Sequence, residues 1–274
     1  MKTVTTSILA AAVLMALPYA SAEACNNSAW NGNTSAANST TPAGPASATP
    51  QRRYGGLCSL QAAASGGFVT DNTPSSEALY QARFYVFTPA GGTAQVFRTT
   101  TANANGGTQV FAVEFTGTSF TFPGSGAAAI TGIQAGRWYG VEVTNNTTAN
   151  TFAARVRGAG NNTVLTSNGT AAAGSVTSAS LGFISGTATG AVVVDDFEST
   201  RSATSIGFLC KGDTNADGVR TVADAGRIRN EFLNPTLAAT TGQPDFNEDG
   251  AVTIADAGLV QTLFLSGQGA CPTS

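Results

Sequence analysis

"DTNADGVRTVAD" (residues 213–224) is followed thirty-two residues later by "DFNEDGAVTIAD" (residues 245–256), in a chain where only 11% of residues are charged. A calcium ion takes six to eight oxygen ligands at about 2.3–2.6 Å, and a short loop supplies them when carboxylate or amide side chains recur at alternate positions. Asp213, Asn215 and Asp217 meet that spacing in the first loop, and Asp245, Asn247 and Asp249 meet it in the second. Gly218 and Gly250 permit the sharp turn that follows, after which the carbonyls of Val219 and Ala251 are expected to point inward. Thr221 and Thr253 are expected to contribute directly or through water, and Asp224 and Asp256 close the loops at their twelfth positions. Three carboxylates crowded into twelve residues repel one another, and a bound cation removes the repulsion. The predicted cofactor is therefore calcium, two ions in all.

Each loop runs into a stretch with helical periodicity, VADAGRIRNEFL or IADAGLVQTLFL. Val222, Ala225, Ile228 and Phe232 lie near one helical face, as do Ile254, Ala257, Val260 and Phe264. Thr221-x-x-Asp224 and Thr253-x-x-Asp256 also have the form of capping boxes, so a pair of capped helices with acidic turns and no metal is the competing interpretation. Capping accounts for the threonine and the closing aspartate but not for Asp-x-Asn-x-Asp-Gly occurring twice. Residues 213–233 and 245–265 are identical at eleven of twenty-one positions, an internal duplication.

On these residues the segment from Lys211 to about Gly267 resembles a type I dockerin domain. That resemblance implies two calcium loop–helix repeats without the entering helix of a full EF-hand, ligands at the twelve positions above, and a cohesin-like protein partner. Cellulosomal members of that family commonly carry a hydroxyl residue among the two positions before the closing aspartate. Val222-Ala223 and Ile254-Ala255 stand there in this chain.

Working outward, the four cysteines are Cys25, Cys58, Cys210 and Cys271, and the last two bracket the paired loops. Residues 1–22 join a basic start, an apolar run and a small-residue stop at Ala20-Ser21-Ala22, the layout of a secretory signal peptide cleaved after Ala22. Export leads to an oxidising compartment, where an even cysteine count points to disulfides. Cys25–Cys58 and Cys210–Cys271 are the expected bridges, with the other two connectivities open. The apolar run is too short to cross a bilayer, and no later stretch is long enough. A net charge of -3 with scattered basic residues carries no nucleic-acid footprint. The chain has no histidine, which removes imidazole metal sites and every nucleophile activated by a histidine base.

Residues 23–53 are rich in Asn, Ser, Thr, Ala and Pro and read as a low-complexity segment. From residue 54 to 200 short aromatic and β-branched runs alternate with turn residues, as in YQARFYVFT (80–88), TQVFAVEFT (108–116), RWYGVEVTN (137–145), NTFAARVRG (150–158), SLGFIS (180–185) and GAVVVDDF (190–197). Such strands predict a β-sandwich, here a jelly roll, followed by a polar linker (201–209) and a small α-helical domain (210–274). The fold class is therefore mainly β with two calcium loop–helix repeats at the end. The segment from Glu77 to Val86, Arg137-Trp138-Tyr139 leading into Val141-Glu142-Val143, and the run Val192 to Phe197 resemble concanavalin A-like or laminin G-like domains.

Glycoside hydrolysis needs two carboxyl groups held about 5–9.5 Å apart across a sugar. The nearest cluster, Asp195, Asp196 and Glu198, reads as a solvated strand end, while Glu114 and Glu142 alternate with apolar neighbours as outward residues do. No catalytic residue is assigned. Trp138, Tyr139, Tyr85 and Tyr54 are candidates for stacking on sugar, with packing within the sheet as the competing role. The expected function is an exported, calcium-binding protein whose sandwich recognises a polysaccharide, cell-surface glycan or protein without turnover. The alternative is a polysaccharide-degrading hydrolase or a component of such a complex.

Overall fold

The computed structural model describes residues 46–49 (backbone only), 53–55, 59–102, 107–158, 163–215, 217–234 and 243–271. The signal segment and the Cys25–Cys58 pairing lie outside them. Two antiparallel sheets face each other. One has seven strands in the order β1 (Ala46–Thr49), β2 (Ser59–Ala62), β13 (Val192–Thr200), β4 (Leu79–Phe87), β9 (Trp138–Asn146), β10 (Thr151–Arg157) and β11 (Val164–Gly169). The other has six, in the order β3 (Gly67–Asp71), β12 (Ser178–Gly186), β5 (Ala94–Thr100), β6 (Gln109–Phe115), β7 (Ser119–Thr121) and β8 (Ile130–Thr131). Two helices, α1 (Val222–Leu233) and α2 (Ile254–Leu265), follow the paired loops.

Period-two alternation puts Phe111, Val113 and Phe115 of β6 into the core between the sheets. There Phe97 stacks on Phe84 at 5.2 Å between ring centroids, and Phe111 meets Phe152 edge-on at 5.4 Å. Each ring sealed from water contributes roughly 1.5–3 kcal/mol. β1 falls inside the stretch read as low complexity, because pairing Ala46–Thr49 with Ser59–Ala62 draws on backbone groups and needs no apolar periodicity.

The outward face of the seven-stranded sheet is covered as well, which sequence alternation does not reveal. Glu142 points away from the core, yet it is buried beneath the connector, accepting from Gly207 N (2.6 Å), Ser205 Oγ (2.8 Å) and Arg155 Nη1 (3.1 Å). Phe208 of the same connector lies over Gly140, where an added Cβ would sit 2.7 Å from its ring. Leu209 N donates to Tyr85 Oη at 2.6 Å, and Arg83 donates to the Gly207 carbonyl at 3.3 Å. Residues 205–209 are thus strapped across strands β4, β9 and β10.

Asp195 departs from the solvated strand end that the sequence predicts. Asp195 lies opposite Tyr85 on the outer face of β13, the face that Val193 also occupies, and the segment carrying Tyr54 and Gly55 covers it there. It accepts from Tyr54 N (2.6 Å) and Gly55 N (3.1 Å) and is buried. Burial pushes its carboxyl well above the usual carboxylate range, against the backbone donors that favour the anion. Asp196 and Glu198 meet Arg83 at 3.7 and 3.1 Å.

Candidate metal centre

Each loop folds around its own carboxylates. In the first, Asp213 accepts from the backbone N–H groups of Asp217 (3.1 Å) and Gly218 (2.8 Å), and Asp217 accepts from Val219 N (2.9 Å). In the second, Asp245 accepts from Asp249 N (3.1 Å) and Gly250 N (2.7 Å), and Asp249 accepts from Ala251 N (3.0 Å). Gly218 and Gly250 adopt φ values of 87° and 91°, the left-handed region that glycine reaches without steric cost. Asn215 and Asn247 each donate to the aspartate two residues on, at 2.7 and 2.9 Å.

The closing aspartates are fully buried. Asp224 accepts from Thr214 N (3.0 Å) and Thr221 N (2.8 Å), and Asp256 accepts from Asn247 N (3.1 Å) and Thr253 N (2.8 Å). Both helices begin with complete capping boxes: Thr221 and Thr253 accept from Ala223 N and Ala255 N, each at 3.2 Å. The same hydroxyls donate to Asp224 (3.0 Å) and Asp256 (2.9 Å). Each closing aspartate therefore takes its foreseen place in the capping box and also accepts from the backbone near the start of its loop.

Hydrogen bonds join Asp245, Asn247, Asp249, Ala251, Thr253 and Asp256 into one network in the second loop, whereas the first loop's residues fall into two groups, Asp213 with Asn215, Asp217 and Val219, and Thr221 with Asp224. Val219 and Ala251 stand on the exposed rim. The donor set is carboxylate, amide and backbone oxygen, the chemistry suited to a hard cation such as calcium. The fit extends to charge: burial, with Asp256, Asp249 and Glu248 adding to it, pushes the Asp245 carboxyl up to about 8. A divalent ion offsets that concentrated negative potential.

The helices meet through their middles only. Ala225 and Ile228 pack on Ala257 and Val260, with Phe246 and Val252 beside them. The predicted outer members of each face are open to solvent, Val222 by 55% and Ile254 by 53%, because a core of four buried side chains is too small to cover two twelve-residue helices. Phe232 and Phe264, at the other end of each predicted face, are exposed as well, as are Leu233, Leu259 and Leu265. Cys210 and Cys271 form the expected disulfide, with Cα atoms 5.6 Å apart.

The residue that spacing did not single out is Glu248, between Asn247 and Asp249. It has φ 57° and is completely buried. Its carboxylate accepts from Tyr54 Oη (2.8 Å), Arg157 Nη2 (3.0 Å) and Lys211 Nζ (2.6 Å), and its carbonyl accepts from Trp138 N (3.1 Å). Burial lowers the Lys211 ammonium to about 8, against the attraction of Glu248. Around this point Tyr54 stacks on Tyr85 at 3.7 Å and meets Trp138 edge-on at 5.5 Å. Arg53 adds a buried ion pair to Glu231 of α1.

All four aromatic candidates for sugar stacking are buried. Tyr54, Tyr85 and Trp138 lie in the cluster beneath the tail, and Tyr139 belongs to the sandwich core.

Residues 211–265 match the family model described as the Dockerin type I domain. Dockerin type I domains bind calcium. No curated protein matches the chain. Among solved structures, a sialidase aligns at 14% identity and a TM-score of 0.38, covering 66% of this chain and 18% of its own length. Lectin I-B4 from Griffonia simplicifolia aligns at 12% and 0.36, covering 57% of this chain and 93% of the lectin. The binding domain of botulinum neurotoxin DC aligns at 11% and 0.41, covering 62% and 44%. The chain therefore spans less than a fifth of the sialidase. Among the described residues no helix is long and apolar enough to cross a membrane.

Proposed function

We propose that the tail is a calcium-dependent docking module, holding one ion in each loop, on an exported protein whose sandwich recognises a carbohydrate or protein without turnover. The observation that carries this reading is the duplicated oxygen-lined loop, each copy sealed by a buried aspartate at a helix start. Asp213, Asn215, Asp217, the Val219 carbonyl, Thr221 and Asp224 hold the first ion. Asp245, Asn247, Asp249, the Ala251 carbonyl, Thr253 and Asp256 hold the second. A bound ion offsets the carboxylate repulsion that the empty loop leaves in place.

The partner is a cohesin-like protein with an apolar docking face. Val222 and Ile254, at positions where a hydroxyl is common in cellulosomal relatives, present exposed aliphatic surface instead. Support for export comes from the signal-like residues 1–22 and from the Cys210–Cys271 bridge, which suits an oxidising compartment. Support for a sandwich without turnover comes from the structural engagement of its acids. Asp195 holds Tyr54, Asp196 and Glu198 hold Arg83, Glu142 holds the connector, and Glu77 pairs with Arg201 at 3.5 Å.

Calorimetric titration of the mature chain with calcium should report two ions, and Asp213→Ala together with Asp245→Ala should abolish the uptake. No uptake by the parent chain overturns the module's assignment. Release of reducing sugar from a polysaccharide panel, lost in Asp195→Ala, would establish the hydrolase alternative.

A further inference from the structure

The first loop itself is stabilised within the tail, the sandwich-side Arg53 reaching its repeat only at Glu231 near the end of α1. Cys210–Cys271 closes around it, Arg220 N donates to Gly269 O (2.7 Å), and Cys271 N donates to Gly218 O (3.3 Å). The second loop is held from outside. Glu248 occupies its fourth position, flanked on both sides by residues expected to hold the ion, and is fixed through both side chain and carbonyl. Three of the four groups that fix it, Tyr54 Oη, Arg157 Nη2 and Trp138 N, come from the sandwich side. The fourth, Lys211 Nζ, also donates to Gly158 O at 3.4 Å. Asp195 in turn fixes the backbone of Tyr54. The corresponding position in the first loop is Ala216, whose side chain carries no acceptor.

A left-handed backbone at a non-glycine residue persists where the surroundings hold it. The φ and ψ of Glu248 set the directions of the neighbouring Asn247 and Asp249 side chains. Fixing it therefore removes in advance conformational freedom that the loop would otherwise lose on taking up an ion. Coupling of this kind is reciprocal: whatever docking adds to the loop's affinity for the ion, the ion adds to docking.

We propose that the second loop and the sandwich form one cooperative unit, in which calcium uptake by that loop and docking of the tail on the seven-stranded sheet reinforce each other, while the first loop takes its ion independently. This rests on the reading of both loops as calcium sites. Its new content is that the tail is coupled to the sandwich by calcium rather than carried on a free tether.

The test titrates calcium into the chelator-stripped mature chain in two backgrounds. Asp213→Ala leaves the second loop to be read, and Asp245→Ala leaves the first. Arg157→Gln, a change in β10 outside either loop, should weaken the second loop about tenfold, a coupling of ordinary size. It should move the first by less than about twofold. Tyr54→Phe, which removes one hydroxyl and keeps the stacked ring, should act in the same direction with a smaller effect and serves where Arg157→Gln fails to fold. As an independent readout, calcium should perturb the fluorescence of buried Trp138, tracked in a Trp30→Phe background, when it fills the second loop but not the first. Equal calcium affinities with and without Arg157→Gln and Tyr54→Phe, or equal shifts in both loops, would overturn the coupling while leaving two calcium sites in place. No uptake in the parent chain would instead remove the reading on which the coupling rests.

Discussion

The two acidic loops share most of their chemistry and almost none of their support. Each has the same alternating oxygens, the same left-handed glycine and the same capping box. Yet the first is tied by a disulfide and the C-terminal segment, and the second by a buried ion network to strands far away in sequence. The lesson is that a duplicated motif conserves what lies within its own twelve residues, while one free position, Ala216 or Glu248, is enough to give the copies different anchors.

The comparison breaks most sharply at Glu248. Glu248→Ala leaves Lys211 and Arg157 buried without their carboxylate, and removing one member of a buried pair costs about 3–5 kcal/mol. Denaturant unfolding of the full chain should show that loss as a lower midpoint. An unchanged midpoint would mean that the network contributes nothing to docking. Next in size is the first loop's own anchor. Cys210→Ser with Cys271→Ser should cost about 2–4 kcal/mol in thermal unfolding and should weaken calcium at the first loop more than at the second.

The pH dependence sharpens the comparison further. With its carboxyl raised to about 8, Asp245 favours the apo fold below the ordinary carboxylate range, and that contribution is lost as pH rises through about 8. Calcium takes the ionised form, so uptake by the second loop should release a proton. Its affinity should rise about tenfold per pH unit, or about 1.4 kcal/mol, up to about 8 and then level off. Calorimetry in buffers of different ionisation enthalpy measures that proton, and pH-independent affinity between 6 and 8 would contradict it. The smallest effects should be equal in the two repeats. Thr221→Ala and Thr253→Ala each remove a matching cap, at about 1 kcal/mol apiece by thermal unfolding in the apo state.

What was legible followed from short-range physics. The run 108–116 alternates in period two and forms β6, and Thr221-x-x-Asp224 forms its capping box. Asp213 and Asp245 each accept from backbone N–H groups four and five residues on, contacts that a tight turn supplies by itself. Asp195, Glu142 and Glu248 were illegible for the opposite reason. Asp195 and Glu142 look like solvated acids of a strand, and Glu248 stands between two polar loop residues, yet each is buried by segments distant in the chain: Tyr54 lies 141 residues from Asp195, Gly207 lies 65 from Glu142, and Arg157 lies 91 from Glu248. A partial signal for the strap was Gly140 inside a strand of large residues, since a glycine there marks a close approach.

The sequence by itself determined the duplicated loops, the helices they start and the β-rich body, because spacing, caps and alternation act over a few residues. Only the tertiary structure decided that the connector lies strapped to the sheet and that one loop of the pair is bolted to the sandwich. The reason is electrostatic: a buried carboxylate is defined by the cations and donors that reach it, and for Glu248 these arrive from positions 37 to 194 residues away.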